Sequence, residues 1–225
     1  MKRLTLIIAG CALAACSSKP VPPAWKANAY GSINSFSNAY LRGDTSIAET
    51  EFARARAEVS STGRPDLVAR TELVRCAAQV ASLDFGNCEG YQALAQDAAP
   101  EERSYAAYIG GRWQDVNVAL LAEQHRPVVT GGTAVAVQDP LARLVAAGAL
   151  MRAGRITPAD ITAAVETASA QGWRRPLLAW LGVQLKRAQA AGDTVAAAQI
   201  QRRIDLAGSM KPAVTLPDES PPGPK

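Results

Sequence analysis

The sequence predicts an all-α protein, an array of antiparallel helical hairpins in a single domain. Three observations carry that expectation. Between a proline-rich start, SSKPVPP, and a proline-rich end, KPAVTLPDESPPGPK, apolar residues recur at the spacing of a helix face. Sustained alternation of the kind a half-buried strand needs is nearly absent. Glycines in helix-stop contexts recur along the chain, each followed by a fresh amphipathic stretch. The periodic stretches amount to about ten helices.

At the N-terminus, Lys2 and Arg3 precede an apolar stretch from Leu4 to Leu13 and the small pair Ala14-Ala15, the three-part layout of a secretory signal over residues 1–15. The run falls short of the about 20 apolar residues that a bilayer span requires. Leu13-Ala14-Ala15-Cys16 resembles the lipobox of bacterial lipoproteins. That resemblance implies that Cys16 carries a diacylglycerol and becomes the first residue of the mature chain. An ordinary signal cut elsewhere and an uncleaved anchor are the competing readings. The small pair before the cysteine and the tether-like SSKPVPP after it favour lipidation. Two or more acyl chains hold a protein stably at a membrane, where one does so only marginally. Ser17, with no Asp in its place, is the pattern that implies delivery to the outer membrane, facing the periplasm. Residues 16–24 then form a lipidated tether, 25–210 the helical domain and 211–225 a disordered tail.

Removing Lys2 and Arg3 from the 24 basic residues leaves 22 against 20 acidic ones, so the mature chain is close to neutral. No block of Lys and Arg with interleaved aromatics is present, which argues against a nucleic-acid partner. Of the four cysteines, Cys11 leaves with the signal and Cys16 is spent on lipid. Cys76 and Cys88 remain in an oxidising space, where a disulfide is favoured over two buried thiols. Geometry sets a condition on that bridge. Were the helix DLVARTELVRCAAQVASL unbroken to Leu83, Cys76 would lie about 10 Å below the turn. A bridge therefore requires the helix to end near Val80, with SLDFGN folding back.

The first hairpin carries the most specific pattern. In AYLRGDTSIAETEFARARAEV, Tyr40 ends one helix, Gly43-Asp44 make the turn, and Ala48, Phe52 and Ala55 follow at fixed offsets. Gly43 can take a positive φ after a helix end, Asp44 or Thr45 can cap the next helix, and a small Ala48 lets paired helices approach while Phe52 fills between them. This grammar resembles a tetratricopeptide repeat, with the first helix one residue short. Fainter copies follow. Tyr108 and Gly111 lead to Val116 and Leu120, Gly154 to Pro158, Ala159 and Ala163, Gly192-Asp193 to Ala197 and Ile204, and a weaker case surrounds Gly86. The resemblance implies a tetratricopeptide-like solenoid; an unrelated bundle with glycine-stopped helices is the alternative.

Residues able to carry chemistry are few. His125, the only histidine, sits in AEQHRPV at a predicted helix end, where a cationic or capping imidazole is an ordinary structural element. Without a second histidine or a clustered ligand set, neither a metal site nor a histidine-assisted nucleophile is expected, and no cofactor. Glu101 and Glu102, after Pro100, read as first-turn residues favoured by a helix dipole, although any two acids can meet in a fold. Residues 126–138, RPVVTGGTAVAVQ, form the longest predicted non-helical excursion. They are open to a short hairpin, a connection between two helical subdomains, or a partner-binding flap. In QGWRRPLLAWLG, Trp173, Arg174 and Arg175 are the partner-binding candidates, and Trp180 reads as core. Trp25 reads as an anchor for the first helix.

These expectations converge on a non-enzymatic outer-membrane lipoprotein with a protein partner in the cell envelope. Tetratricopeptide-like lipoproteins help assemble envelope machines, and the resemblance implies that kind of role. The alternative is an envelope enzyme, such as a cell-wall hydrolase, working through helix-borne carboxylates. A carrier of a small ligand between helices is a third.

Overall fold

A computed structural model of the protein describes residues 23–209, and among these residues it holds ten α-helices, four 3₁₀ turns and no strand. The all-α class expected from the sequence is the class observed. Cys16, the signal, most of the tether and the 211–225 tail lie outside the described residues.

Helix α1 (Ala24–Arg42) starts behind Pro23 and stops at Gly43, whose φ of 95° is left-handed. The Gly43 N–H donates to the carbonyls of Ala39 and Tyr40, and the Asp44 N–H to that of Ala39 at 2.9 Å, so the last carbonyls of α1 are satisfied within the turn. Helix α2 (Thr45–Ser60) returns antiparallel. Asp44 stands at its N-cap position without a side-chain bond to the helix. Ala48, Phe52 and Ala55 are buried, and the Phe36 and Phe52 rings meet with centroids 5.1 Å apart. Trp25 packs beside Ala29, Val59 and Val68 at the other end of the hairpin. In the first hairpin Gly43 turns the chain and Ala48, Phe52 and Ala55 are buried, while the side-chain cap expected of Asp44 is not made.

Helix α3 (Pro65–Ala81) packs against α2 on one side and against α7 (Pro140–Arg152) on another. From there the neighbours run in chain order, with α8 (Pro158–Ala170) on α7, α9 (Arg174–Ala190) on α8 and α10 (Thr194–Gly208) on α9. Helix α9 also touches α1, which links the start and the end of this series. The segment between α3 and α7 lies over both helices. It comprises α4 (Glu89–Gln92), α5 (Pro100–Ile109), α6 (Arg126–Val129) and the 3₁₀ turns Trp113–Asp115, Val118–Leu120, Glu123–His125 and Ala134–Ala136.

Here the fainter repeat pattern departs from expectation. Gly111 does turn the chain after α5, at φ 74°, and Tyr108 is buried, but no second helix follows. Val116 and Leu120 are half-buried on a string of 3₁₀ turns. Polar side chains compete for the backbone along this stretch. Asn117 accepts from the Ala119 N–H, Ser104 Oγ donates to the Asn117 carbonyl at 2.9 Å, and Trp113 Nε1 donates to the Tyr108 carbonyl at 3.1 Å. Residues 126–138 form neither a hairpin nor a flap. Val128, Ala134 and Val137 are buried in the core that α3, α7, α8 and α9 share, so one core runs across the segment. A buried carboxylate fastens it. Asp160 Oδ1 accepts from the Ala134 N–H at 2.7 Å, while Oδ2 accepts from the N–H and hydroxyl of Thr157 in a capping box at the start of α8. Burying Asp160 for this purpose turns the buried face of α8 to Ile161, Ala164, Val165 and Ala168, and Ala159, expected to pack, is exposed. Gly154 and Gly192 turn the chain at φ 67° and 70°, and Asp193 caps α10 through the Ala196 N–H. The loop at Gly86 leads into α4 without such a turn.

The condition on the cysteine pair is met. Helix α3 ends at Ala81, residues 82–88 fold back, and the Cα atoms of Cys76 and Cys88 lie 5.6 Å apart, joined by a disulfide. Cys88 takes a left-handed φ of 50° to begin α4. A bridge closing a loop with a sequence separation of 12 contributes about 3 kcal/mol by restricting the unfolded chain. Cys76→Ser is expected to lower the unfolding free energy by about that amount in a non-reducing urea titration. Reduction of the unsubstituted protein should produce the same loss, and rapid labelling of both thiols in folded, unreduced protein would remove the bridge from the account.

Candidate ligand-binding cleft

Helices α3, α5 and α7 diverge around a cleft of about 360 Å³, within the range of small-molecule sites. Helix α3 contributes Arg70, Leu73, Val74 and Ala77, which fall at intervals of three and four and so share one face. From α5 come Glu101, Glu102 and Tyr105, and from the start of α7 Leu141, Ala142 and Val145. The 3₁₀ string supplies Leu121 and His125. Pro100 and Pro140 each occupy the first turn of their helix, where the missing N–H costs nothing, so both helix starts are set at the cleft.

His125 is the deepest polar group. It is 3 % exposed, its Nδ1 is 3.2 Å from the Tyr108 hydroxyl, and its ring lies 5.0 Å from that of Tyr108 and 5.9 Å from that of Tyr105. Burial drives the imidazole pKa down to about 4, against a smaller opposing pull from the Asp139 charge. The expectation of a cationic imidazole at a helix end is thereby corrected: His125 does stand at a helix start, but inside the core, where desolvation keeps it neutral. Burial likewise holds the Tyr105 and Tyr108 phenols far above their ordinary pKa.

This arrangement predicts acid sensitivity with a definite sign. The unfolded chain takes up a proton on His125 near pH 6.5, whereas the folded chain resists it until about pH 4. Stability is therefore full above about pH 6.5 and falls as the pH drops toward 4, by an amount on the order of 3 kcal/mol. Urea titrations of wild type and His125→Gln between pH 7 and 4 check this, since the variant should lose less stability over that window.

Two of the carboxylates at the cleft have partners within the fold. Glu102 lies 3.5 Å from Arg70, and Asp139 Oδ1 accepts from the Ala142 N–H at 2.7 Å, capping α7. Glu101 and Glu102 occupy the first turn of α5, as expected from Pro100. Among the described residues no group of three or more His, Cys, Asp and Glu is placed to hold a metal.

The partner-binding candidates are engaged within the chain. Arg175 Nε donates to the Tyr40 carbonyl at 2.7 Å, its Nη2 to Thr45 Oγ1 at 2.8 Å, and its guanidinium lies over the Tyr40 ring at 4.2 Å. The Tyr40 hydroxyl faces Asp84 at 3.5 Å, and its pKa is raised to about 12, mainly by burial and against the pull of Arg175. Arg174 lies over Gly43, where a Cβ would stand 2.8 Å from its Nη2; the movable end of that side chain can yield, so it is the left-handed φ that calls for glycine at this turn. Trp173 is half-buried between the two main core clusters. These residues clasp α9 to the α1–α2 turn. Trp180 is core, as expected, and fully buried.

A second concavity, of about 400 Å³, lies along α9 and α10. Arg174, Leu177, Leu181, Arg203, Leu206 and Ala207 line it. Leu206, in the groove, and Val195, at the start of α10, are 75 % and 68 % exposed. From residue 174 to 209 the chain carries six basic residues (Arg174, Arg175, Lys186, Arg187, Arg202 and Arg203) and two acidic ones (Asp193 and Asp205). No helix among the described residues is long and apolar enough to cross a membrane.

Sequence reasoning singled out His125, Glu101 and Glu102 separately but gave no sign that they share a cleft. Tyr105 was missed; its i, i+3 spacing to Tyr108 was the available signal. Comparison of the chain with known protein families, curated proteins and solved structures finds no match.

Proposed function

We propose that the protein is a lipoprotein held through Cys16 at the outer membrane, with its tetratricopeptide-like helical unit facing the periplasm as a non-enzymatic adaptor for envelope protein assembly. The observation that carries the adaptor reading is the basic, apolar groove on α9 and α10, where Arg203 stands beside Leu177 and Leu206. Arginine is enriched at protein interfaces, and an exposed apolar patch rimmed by polar residues marks an interaction site. The acyl groups would confine the unit to the membrane plane and raise its effective concentration near other anchored proteins.

Cys16→Ala should move the protein from the membrane fraction to the soluble periplasm; retention would overturn the anchoring. In-cell cross-linking from a photoreactive residue at position 206 should capture a specific envelope protein, and Arg203→Glu should abolish the capture. Recovery of no specific partner would overturn the adaptor reading.

The hydrolase reading is favoured by one observation, that Glu101, Glu102 and Asp139 line the same cleft. Cleavage of purified cell wall by the protein, lost in Glu101→Gln or Glu102→Gln, would establish it in place of the adaptor.

A further inference from the structure

We propose that the cleft between α3, α5 and α7 binds a small organic cation with an apolar body, of the alkylammonium or arylalkylammonium class. The inference is independent of the adaptor reading, which rests on the other side of the molecule's helical series, at α9 and α10.

Size and lining set the body of the ligand. At the about 30 Å³ that one water-sized group occupies in liquid, the cleft of about 360 Å³ has room for roughly a dozen non-hydrogen atoms. Leu73, Val74, Ala77, Leu121, Leu141 and Val145 form its walls, so the greater part of the surface presented to a ligand is aliphatic. Such walls reward an apolar body by removing its surface from water.

Charge sets the head. Three carboxylates, Glu101, Glu102 and Asp139, line the cleft against one guanidinium, Arg70, which is already paired with Glu102. His125 adds no positive charge, because burial holds it neutral. The N-termini of α5 and α7 each add roughly half a positive charge, and with Arg70 they still fall short of the three carboxylates, so the field disfavours an anion while a cation gains from it inside low-dielectric walls. The end of the cleft at His125 is also chemically specific. Nδ1 is taken by the Tyr108 hydroxyl, and Nε2 has no hydrogen-bond partner among the described residues. The Tyr105 hydroxyl is likewise without one. In the tautomer whose Nδ1–H donates to Tyr108, Nε2 accepts from an ammonium N–H, with the Tyr105 ring beside it as a cation–π surface.

The test uses three probes of similar size: phenethylammonium, phenethyl alcohol and 3-phenylpropionate, titrated into the protein by calorimetry with amide and histidine NMR shifts followed in parallel. The cation should bind 1:1 and at least tenfold more tightly than the anion, with the alcohol between them, and the shifts should centre on Tyr105 and His125. Glu101→Gln and Glu102→Gln should each weaken cation binding several-fold, and Val74→Phe, which fills the cleft, should abolish it; thermal melts of the three variants verify that they fold. Equal or tighter binding of the anion, no saturable binding of the cation at millimolar concentration, or binding unchanged in Val74→Phe would overturn the proposal.

Discussion

Gly148→Ala is expected to destabilise the protein by about 3 kcal/mol, even though alanine is the better helix former. Gly148 lies within α7 where that helix crosses the end of α3. A Cβ there would stand 2.7 Å from Val80 Cγ1, 2.9 Å from the Val80 carbonyl carbon and closer still to its oxygen. The obstacle is backbone, so no rotamer change relieves it, and one of the two helices has to move. The rest of the core transmits that movement, because α3 and α7 each contribute more buried residues than any other helix. A matched control separates this effect from helix propensity. Gly182, within α9, has open space at its Cβ position, and Gly182→Ala should stabilise by up to about 1 kcal/mol. Thermal melts of the two variants should therefore move in opposite directions, with Gly148→Ala losing roughly 6 to 12 °C. A Gly148→Ala melt at or above that of wild type would mean that the helices cross less tightly than described.

The second large effect is expected at Trp180. Its side chain is fully buried in the main core, and its Nε1 donates to the Ala81 carbonyl at 3.0 Å. Ala81 is the last residue of α3, so its carbonyl has no partner within the helix and depends on this indole. Trp180→Ala removes the largest buried side chain and strands that acceptor. The expected loss is about 5 kcal/mol, which is comparable to the whole stability of many domains. Trp180→Phe keeps most of the apolar volume and loses only the bond, at roughly 1 to 3 kcal/mol. Urea midpoints of the two variants check the division, and equal effects would indicate that the hydrogen bond carries most of the contribution.

What was legible in the sequence was whatever depends on near neighbours. The turn at Gly43, the burial of Ala48 and Phe52 and the proline starts of α5 and α8 all follow from residues within a few positions of one another, while the early end of α3 was legible only as a condition of the Cys76–Cys88 bridge. The string of 3₁₀ turns between α5 and α7 was read partly as helix. Its apolar residues sit at near-helical intervals, while Ser104, Asn117 and Trp113 decide the backbone through bonds that no periodicity records. The cleft stayed hidden because its walls come from three helices and a turn far apart in the chain. A histidine at a helix start also looks alike in sequence whether it is solvated or, like His125, buried beside two tyrosines at the end of a cleft. Arg174 and Arg175 have a surface composition, yet one of them spends its guanidinium on Tyr40 and Thr45, a pairing that local sequence cannot foretell.

That pairing bears on how the molecule comes apart. In an open stack of helical hairpins each unit leans only on its neighbours, and the stack can fray from either end in steps. Here Arg175 reaches Tyr40 across 135 residues of chain, and α9 closes on α1. Opening the first hairpin therefore means releasing α9, and releasing α9 exposes the turn that holds α1 to α2. The first hairpin and α9 share one fate, so the unit between them is built to unfold as a single cooperative block, and the first hairpin of a newly made chain gains its final support only when α9 has arrived.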